Sequence, residues 1–290
     1  RKGKVSRVRP RINMDVNEYW ICDRGRYDFK RVQEGATRLK DPILRRGEGF
    51  VKSDWPEASA FAADGLTAGS ASSVAILGSP TLTNEELYLL KKLGERLGNV
   101  RVVSNSLEPE GEKLFGLISS DPYPNSRGVR DIGLDYGPGK VKELIESIIN
   151  GKIKTLYVAG EDLFGFVSED EEPRLREALS GLDLLIVEDY RVTETAKLAH
   201  VILPGATPYE KDGTFTNDDG RVQRIREAIA PPGVAKPDWE IISFIGSLVN
   251  PEGFNYGHPS FIMEEISGAV PAYAKLNYEN IGVLGGNAAS

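Results

Sequence analysis

The strongest constraint on the fold is an alternation between short apolar segments and longer amphipathic ones in the middle of the chain. The short apolar segments predict buried strands at 73–78, 100–104, 155–159, 183–189 and 200–203. The amphipathic segments predict helices at 83–97, 141–150, 172–179 and 193–198. Strands that alternate with helices predict an α/β fold, with parallel sheets flanked by helices.

An irregular stretch rich in proline and glycine, residues 107–139, interrupts this alternation. We therefore expect a first α/β unit at 54–135 and a second at 136–250. A small β-rich segment at 1–53 precedes them, and a helix with a loose tail at 251–290 follows them.

Local signals fill in the rest of the chain. Residues 4–12 alternate in character and predict a short strand, whereas the charged residues 39–50 predict irregular structure. Asp54 is a predicted N-cap of a helix over 55–68, because Pro56 and Glu57 follow it in the first turn. Two further helices are predicted near the C-terminus, at 239–249 and 260–267.

The overall charge and composition exclude several classes of partner. The 290 residues carry a net charge of -7, which gives no general attraction to nucleic acid or to an anionic membrane. The basic residues cluster in 1–11, where they could bind an acidic partner or form a solvated strand. No apolar stretch approaches the roughly 18 residues that a membrane span needs, so we expect no direct membrane insertion. The single cysteine, Cys22, excludes an internal disulfide framework.

The common catalytic signatures are missing. Neither a phosphate-binding loop nor a G-x-G-x-x-G motif follows any predicted strand. His200 begins an apolar strand, and neither it nor His258 has an evident nucleophile or carboxylate partner in the sequence. We therefore predict no catalytic residue in this chain.

Cys22 stands in a distinctive phrase. Residues 7–27 read RVRPRINMDVNEYWICDRGRY, and an isolated cysteine at the end of an apolar run is by itself most often a small buried side chain. The phrase resembles a segment of the molybdopterin oxidoreductase superfamily, most closely that of the large iron–sulfur subunit of respiratory complex I. The resemblance implies that Cys22 is the fourth ligand of a 4Fe–4S cluster whose other ligands lie upstream of Arg1, and that residues 1–53 are the remnant of an iron–sulfur domain.

A longer phrase supports the same resemblance. Residues 189–206 contain TETAKLAHVILP, and residues 210–223 read EKDGTFTNDDGRVQ, which is similar to the phrase that lies beside the pterin cofactor in catalytic relatives. The two Asp-Gly pairs predict tight turns around a short strand, and therefore a polar hairpin at 212–223. The resemblance implies a vestigial pterin-side loop that presents Thr214, Asn217, Arg221 and Gln223.

The sequence also departs from the catalytic members of that family. The distance from Trp55 to Asn84 leaves no room for the segment that carries their metal ligand, and there is no second cysteine. Their final barrel is not found before Ser290. We therefore expect no cofactor in the chain as given, a 4Fe–4S cluster in the intact protein and no molybdopterin.

The resemblance implies a non-catalytic structural and electron-transfer subunit of an NADH-quinone oxidoreductase of the complex I type. Its partners would be other subunits of an NADH-oxidising complex, on the cytoplasmic or matrix-equivalent face and peripheral to the membrane. One alternative is a pterin-binding oxidoreductase subunit like that of formate dehydrogenase. Another is a redox-inactive module that only holds partners. If the chain is such an electron-transfer subunit, we expect Cys22 to lie at the surface and Arg221 to pair with a nearby carboxylate.

Overall fold

The structure is a computed structural model and describes residues 3–33, 37–114 and 118–289. Its strands are β1 (Ile43–Arg46), β2 (Gly49–Lys52), β3 (Val74–Gly78), β4 (Arg101–Ser104), β5 (Asp135–Tyr136), β6 (Thr155–Ala159), β7 (Leu184–Asp189), β8 (Val201–Pro204), β9 (Gly213–Thr216), β10 (Arg221–Ile225) and β11 (Gly286–Asn287). Its helices are α1 (Asp23–Tyr27), α2 (Phe29–Gln33), α3 (Trp55–Ala68), α4 (Asn84–Arg96), α5 (Ser126–Ile132), α6 (Pro138–Ile149), α7 (Glu172–Ser180), α8 (Asp238–Val249), α9 (Pro259–Ala269) and α10 (Tyr278–Ile281). Short 3-10 helices lie at Ala71–Ser73, Leu163–Phe166, Ala196–Leu198 and Pro271–Tyr273.

Eight strands form one sheet in the order β2-β1-β8-β7-β6-β3-β4-β5. The strands from β3 to β8 pair in parallel, whereas β1 pairs antiparallel with both β2 and β8 at one edge. Parallel strands need long crossover connections, and helices such as α4 and α7 supply them. The predicted α/β class is confirmed.

Both faces of this sheet are buried. Ile76 of β3 and Ile186 of β7 pack on one face against α3, α4, α8 and α9. Their chain neighbours Leu77 and Val187 pack on the other face against α6 and α7. Every residue of β3, β6 and β7 is buried, which explains why most of their residues are apolar.

The two α/β segments that the sequence separates share this one sheet. Strand β3, before the predicted boundary at residues 135–136, pairs along its whole length with β6, which lies after it. The boundary therefore does not divide two sheets, and the domain division stays a prediction.

Two predictions near the N-terminus are wrong. The strand expected at 4–12 is not formed, because the Gln33 side chain and not a neighbouring strand bonds both the N–H and the carbonyl of Val5. Residues 39–50, expected to be irregular, contain β1 and the start of β2. These strands form because β8 offers a free edge to β1 and because Gly47 adopts the positive φ of 61° that a tight turn requires.

A second sheet, of order β11-β10-β9, contains the predicted polar hairpin. Arg221 and Val222 of β10 pair with residues of β11, so the C-terminal tail is held against the hairpin. No helix among the described ranges is both long and apolar enough to cross a bilayer.

Helix α3 begins as the sequence predicts. The Asp54 side chain accepts a hydrogen bond of 2.9 Å from the Glu57 N–H, and Pro56 lies in the first turn. The helix carries its small buried face, including Ala58 and Ala62, onto the sheet and α8. The cap therefore fixes where this layer of the fold starts.

We predict that Asp54→Ala lowers the free energy of unfolding by about 1 kcal/mol, because the Glu57 N–H loses its acceptor. Asp54→Asn keeps an acceptor oxygen at the same position and should stay within a few tenths of a kcal/mol of the wild type. Urea unfolding of the three proteins measures the difference. Equal losses in both variants would contradict a capping role.

Candidate functional site

A cavity of about 960 Å³ lies between three separate parts of the chain. The N-terminal segment contributes Trp20, Ile21 and Cys22, and the β9–β10 hairpin contributes Asn217 and Gln223. The loop that follows β4 forms the third wall. The cavity therefore brings together the two phrases that the sequence singles out.

The N-terminal wall is shaped by a compact turn. The backbone of Asn13 pairs with that of Glu18, whose φ of 49° reverses the chain. The Asn17 side chain donates to the Trp20 carbonyl at 2.8 Å. Cys22 then caps α1, and its thiol accepts from the Gly25 N–H at 3.4 Å. As predicted, the Cys22 side chain is exposed, and it lies on the rim of the cavity.

The hairpin wall is a turn held by one side chain. Asn217 Oδ1 accepts from the N–H groups of Asp219 and Arg221, at 3.1 and 2.8 Å. Gly220 adopts a φ of 77°, which an L side chain rarely adopts, and its N–H donates to the Asn217 carbonyl. The Asn217 side-chain oxygen therefore holds the turn in shape, and Asn217 also lines the cavity.

The other two predicted hairpin residues do not line the cavity. Thr214 is fully buried and donates from its N–H and its hydroxyl to Glu85, at 2.8 and 3.0 Å. Arg221 has the carboxylate partner that was expected for it, since its Nη2 lies 3.2 Å from Asp15. That pair ties the hairpin to the N-terminal turn outside the cavity.

None of the described residues that line the cavity belongs to β3 or β6 or to the turns at their carboxyl ends, where ligands of open α/β sheets usually bind. The lining instead comes from the N-terminal segment and the post-β4 loop. The first turn of α4 stands beside the root of the hairpin, so closely that a side chain at Gly213 would meet Thr83 within 2.5 Å.

The sequence analysis missed the contribution of the post-β4 loop. Tyr123 lines the cavity and accepts from Asn105 Nδ2 at 2.7 Å, and burial raises the pKa of its phenol. Lys113 crosses to the hairpin and bonds Asp219 at 2.6 Å. The only signal in the sequence of this loop was its high proline and glycine content. That signal predicts irregular structure, but it does not predict that the loop lines a cavity.

A buried ionic network holds the root of the hairpin. The Lys211 ammonium lies 2.8 Å from Glu86 of α4 and 2.7 Å from Asp238 of α8. Burial acts to lower the pKa of Lys211, but the carboxylates of Asp238 and Glu86 outweigh it and raise the pKa. Glu188 lies next to this group and accepts from the Tyr157 hydroxyl, and burial followed by the Asp238 charge raises its pKa well above the usual value.

Glu85 forms a second buried contact with the hairpin. Besides Thr214, its carboxylate accepts from the Tyr278 hydroxyl at 2.9 Å. Burial raises the pKa of Glu85 to about 7, although hydrogen bonds from its own backbone, from Thr214 and from Tyr278 oppose that rise. The charge state of this group therefore changes near neutral pH.

Comparison with known proteins places these features in a family. The model of the molybdopterin oxidoreductase family matches residues 38–108 and 105–247, which is most of the chain. The chain belongs to the molybdopterin oxidoreductase family. Residues 1–30 match the 4Fe–4S domain of NADH-ubiquinone oxidoreductase NDSU1/NuoG-like proteins.

Several individual relatives of the chain are formate dehydrogenases by name. It is 43% identical over 165 residues to a Staphylococcus haemolyticus protein named as a candidate formate dehydrogenase, covering 56% of this chain and 16% of that protein. It is 42% identical over 135 residues to the F420-dependent formate dehydrogenase 1 subunit alpha of Methanococcus maripaludis, covering 46% and 20%. The chain thus spans about a fifth or less of the relatives it matches. Among solved structures, acetylene hydratase from Pelobacter acetylenicus covers 70% of this chain and 24% of its own, at 16% identity and a TM-score of 0.41.

These relatives bear on the cofactor expectations. The 4Fe–4S domain match supports a cluster in the intact protein, whereas the formate dehydrogenase relatives weigh against the expectation that no molybdopterin is bound. The residues of this chain do not hold a cluster by themselves, because such clusters need four thiolates and the sequence has one cysteine. Nor do the described residues bring together three His, Cys, Asp or Glu side chains as a metal site.

The exposure of Cys22 predicts rapid thiol chemistry. A bulky aromatic disulfide should modify the folded protein within minutes and to about one equivalent, because the thiol lies on an open rim. Release of the coloured thiolate measures the reaction, and Cys22→Ser serves as the blank. Protection of the thiol until denaturant is added would contradict this placement.

Glu85 predicts a pH-dependent stability. The pKa of Glu85 in the folded protein is about 7, above its ordinary value of 4.5. The stability that the protonated side chain contributes is therefore fully present below pH 4.5 and is lost as the pH rises through 7. Glu85→Gln mimics the protonated acid at every pH. Between pH 5 and pH 8 the free energy of unfolding of the variant should therefore rise relative to that of the wild type, by up to about 3 kcal/mol. Urea unfolding at each pH measures this, and parallel curves for the two proteins would contradict it.

Proposed function

We propose that this chain forms part of a pterin-binding oxidoreductase of the formate dehydrogenase type, in which it supplies walls of the cofactor cavity and one thiolate of a 4Fe–4S cluster. The observation that carries the proposal is the cavity itself. It places Cys22 on one rim and the hairpin amides of Asn217 and Gln223 on another. The two phrases that resemble the family thus face one cavity, although about 190 residues separate them in the chain.

The cavity has the size and chemistry that a pterin needs. Its volume of about 960 Å³ is within the range of cofactor pockets. Trp20 and Tyr123 offer rings beside which a flat heterocycle can pack, and Asn217 and Gln223 offer amides for its polar edge. Arg24 adds a cation to the lining, whereas the charge of Lys113 is paired with Asp219.

In this proposal the residues of the chain bind and orient, while the bound pterin and its metal supply the redox chemistry. The turn around Asn217 fixes the amide donor, and the Lys211 network fixes the turn relative to the sheet. Cys22 completes a cluster only with three thiolates from outside these residues. We assign no proton-transfer or nucleophilic role to any side chain.

A second candidate has its own support. The match of residues 1–30 to an NADH-ubiquinone oxidoreductase domain favours an electron-transfer subunit of an NADH-oxidising complex that passes electrons toward quinone. In either case the partners are other redox subunits, at a site peripheral to a membrane on the cytoplasmic or matrix-equivalent face. Metal analysis of the intact protein separates the two, because molybdenum or tungsten near one per chain belongs only to the first.

The first test is direct binding of a pterin without a phosphate group, followed by quenching of its fluorescence. We expect wild-type protein to bind it, and Asn217→Ala with Gln223→Ala to weaken binding at least about tenfold through the loss of two hydrogen bonds. Arg226→Ala, an exposed position beyond the end of β10, is the matched control and should bind as the wild type does. Absence of binding to the wild type, together with absence of molybdenum and tungsten, would leave the second candidate.

A further inference from the structure

The polar hairpin is fastened to the body of the protein by side chains and not by the large sheet. Strands β9, β10 and β11 form a sheet of their own, and the eight-stranded sheet ends at β2 and β5. The hairpin packs against α4 and α5, whose N-terminal ends carry polar side chains toward β9. It can therefore move away when these side-chain contacts break, while the large sheet stays folded.

Glu85 lies fully buried beneath the hairpin and is surrounded by neutral groups. Its carboxylate accepts hydrogen bonds from Thr214 of β9 and from the Tyr278 hydroxyl of α10. Tyr273, in the short turn at 271–273, is the other titratable side chain on which the Glu85 charge acts. Whereas the neighbouring Glu86 pairs with a lysine, no cation forms an ion pair with Glu85 in the described part of the chain. A charge on Glu85 is therefore buried without an opposite charge, which costs free energy.

The other contacts of the two hairpin strands with the body bury no lone charge. The Thr216 N–H donates to Asn125 Oδ1 at 2.7 Å, and Asn84 Nδ2 donates to the Thr216 hydroxyl at 3.0 Å. These bonds join neutral groups. The two ion pairs on the outer side, with the N-terminal turn and with the post-β4 loop, each join opposite charges. Of these contacts, the one with Glu85 is therefore the contact that a change of pH near neutrality alters.

Movement of the hairpin away from α4 would expose Glu85 to water. Beneath the hairpin burial raises the pKa of Glu85 to about 7, whereas a hydrated glutamate has its ordinary value of 4.5. Between these two values the open form has lost the proton that the closed form still holds. A rising pH therefore favours the open form from pH 4.5 upward, and the effect levels off above pH 7. The ratio of open to closed form rises by up to about 300-fold over this range.

We propose that the polar hairpin is a pH-sensitive gate of the cavity, closed in acidic solution and opening as Glu85 loses its proton. The moving part is the β9–β10 hairpin with the strand β11 that pairs with it, and the Lys211 network keeps its root in place. Asn217 and Gln223 line the cavity from this part, so opening removes one wall. The inference does not depend on which ligand the cavity takes, and failure of a pterin to bind would leave it standing.

The test is hydrogen exchange of the backbone amides, followed by mass spectrometry from pH 5 to pH 8 and corrected for the intrinsic exchange rate at each pH. In the wild type, protection at residues 213–217 should fall by more than about tenfold over this range, while residues 155–159 of β6 stay protected. Glu85→Gln is neutral at every pH, so protection of its hairpin should change by less than about threefold. An equal fall in wild type and variant overturns the proposal. A parallel loss at β6 also overturns it, because the whole protein then unfolds.

Glu161→Gln is the matched control. Burial raises the pKa of Glu161 to about 7 as well, but this residue follows β6 and bonds Ser79, not the hairpin. The variant should keep the pH dependence that the wild-type hairpin shows. Loss of that dependence in Glu161→Gln would overturn the assignment of the gate to Glu85.

Tyr278→Phe tests the gate with the Glu85 carboxylate in place, and it decides the matter if Glu85→Gln does not fold. The variant deletes one hydrogen-bond donor to the ionised carboxylate, so the pKa of Glu85 should rise further. The aromatic ring on which Arg224 stacks is kept. The loss of hairpin protection should therefore have its midpoint at a higher pH than in the wild type. A midpoint at or below the wild-type value overturns the proposal.

Discussion

The rest of the site depends on a charged side chain held inside the protein. Lys211 is almost completely buried, and it remains there because carboxylates on two different helices, Glu86 and Asp238, contact its ammonium group. Removing the Lys211 ammonium would leave two buried carboxylates without a counter-charge, which is far more destabilising than the loss of a surface ion pair. The hairpin follows Lys211 directly, so this network fixes where the hairpin leaves the body of the protein.

The same region shows how the sheet and the site are coupled. Helix α4 covers one face of the sheet with its leucines, while its first turn presents Glu85 and Glu86 to the hairpin. A single helix therefore belongs to the core on one side and to the polar network on the other. The described residues that line the cavity include none from the parallel strands. The hairpin is nevertheless positioned relative to the sheet, because α4 packs on the sheet and its first turn bonds the hairpin and Lys211.

Much of the fold was predictable from the sequence because it depends on local pattern. The buried strands, the amphipathic helices, the Asp54 cap and the tight turns of the hairpin all leave signals within a few residues. Strands β1 and β2 left none, because their formation depends on the free edge of β8, some 160 residues away. Glu85 and Glu86 were readable as acidic residues of a helix start, but their partners on the hairpin lie more than 120 residues further along. The cavity could not be predicted for the same reason, since three distant segments form it.

Both edges of the large sheet remain open, and each is protected from pairing with another chain. Strand β5 at one edge has only two residues, too few to template a long ladder. Strand β2 at the other edge is exposed throughout and carries the apolar side chains Phe50 and Val51. Two cations occupy this edge: Arg45 lies over the Phe50 ring at 4.5 Å, and Lys52 pairs with Asp41 at 2.7 Å. A neighbouring strand would have to displace these charges, so the edge resists aggregation although its side chains alone would favour it.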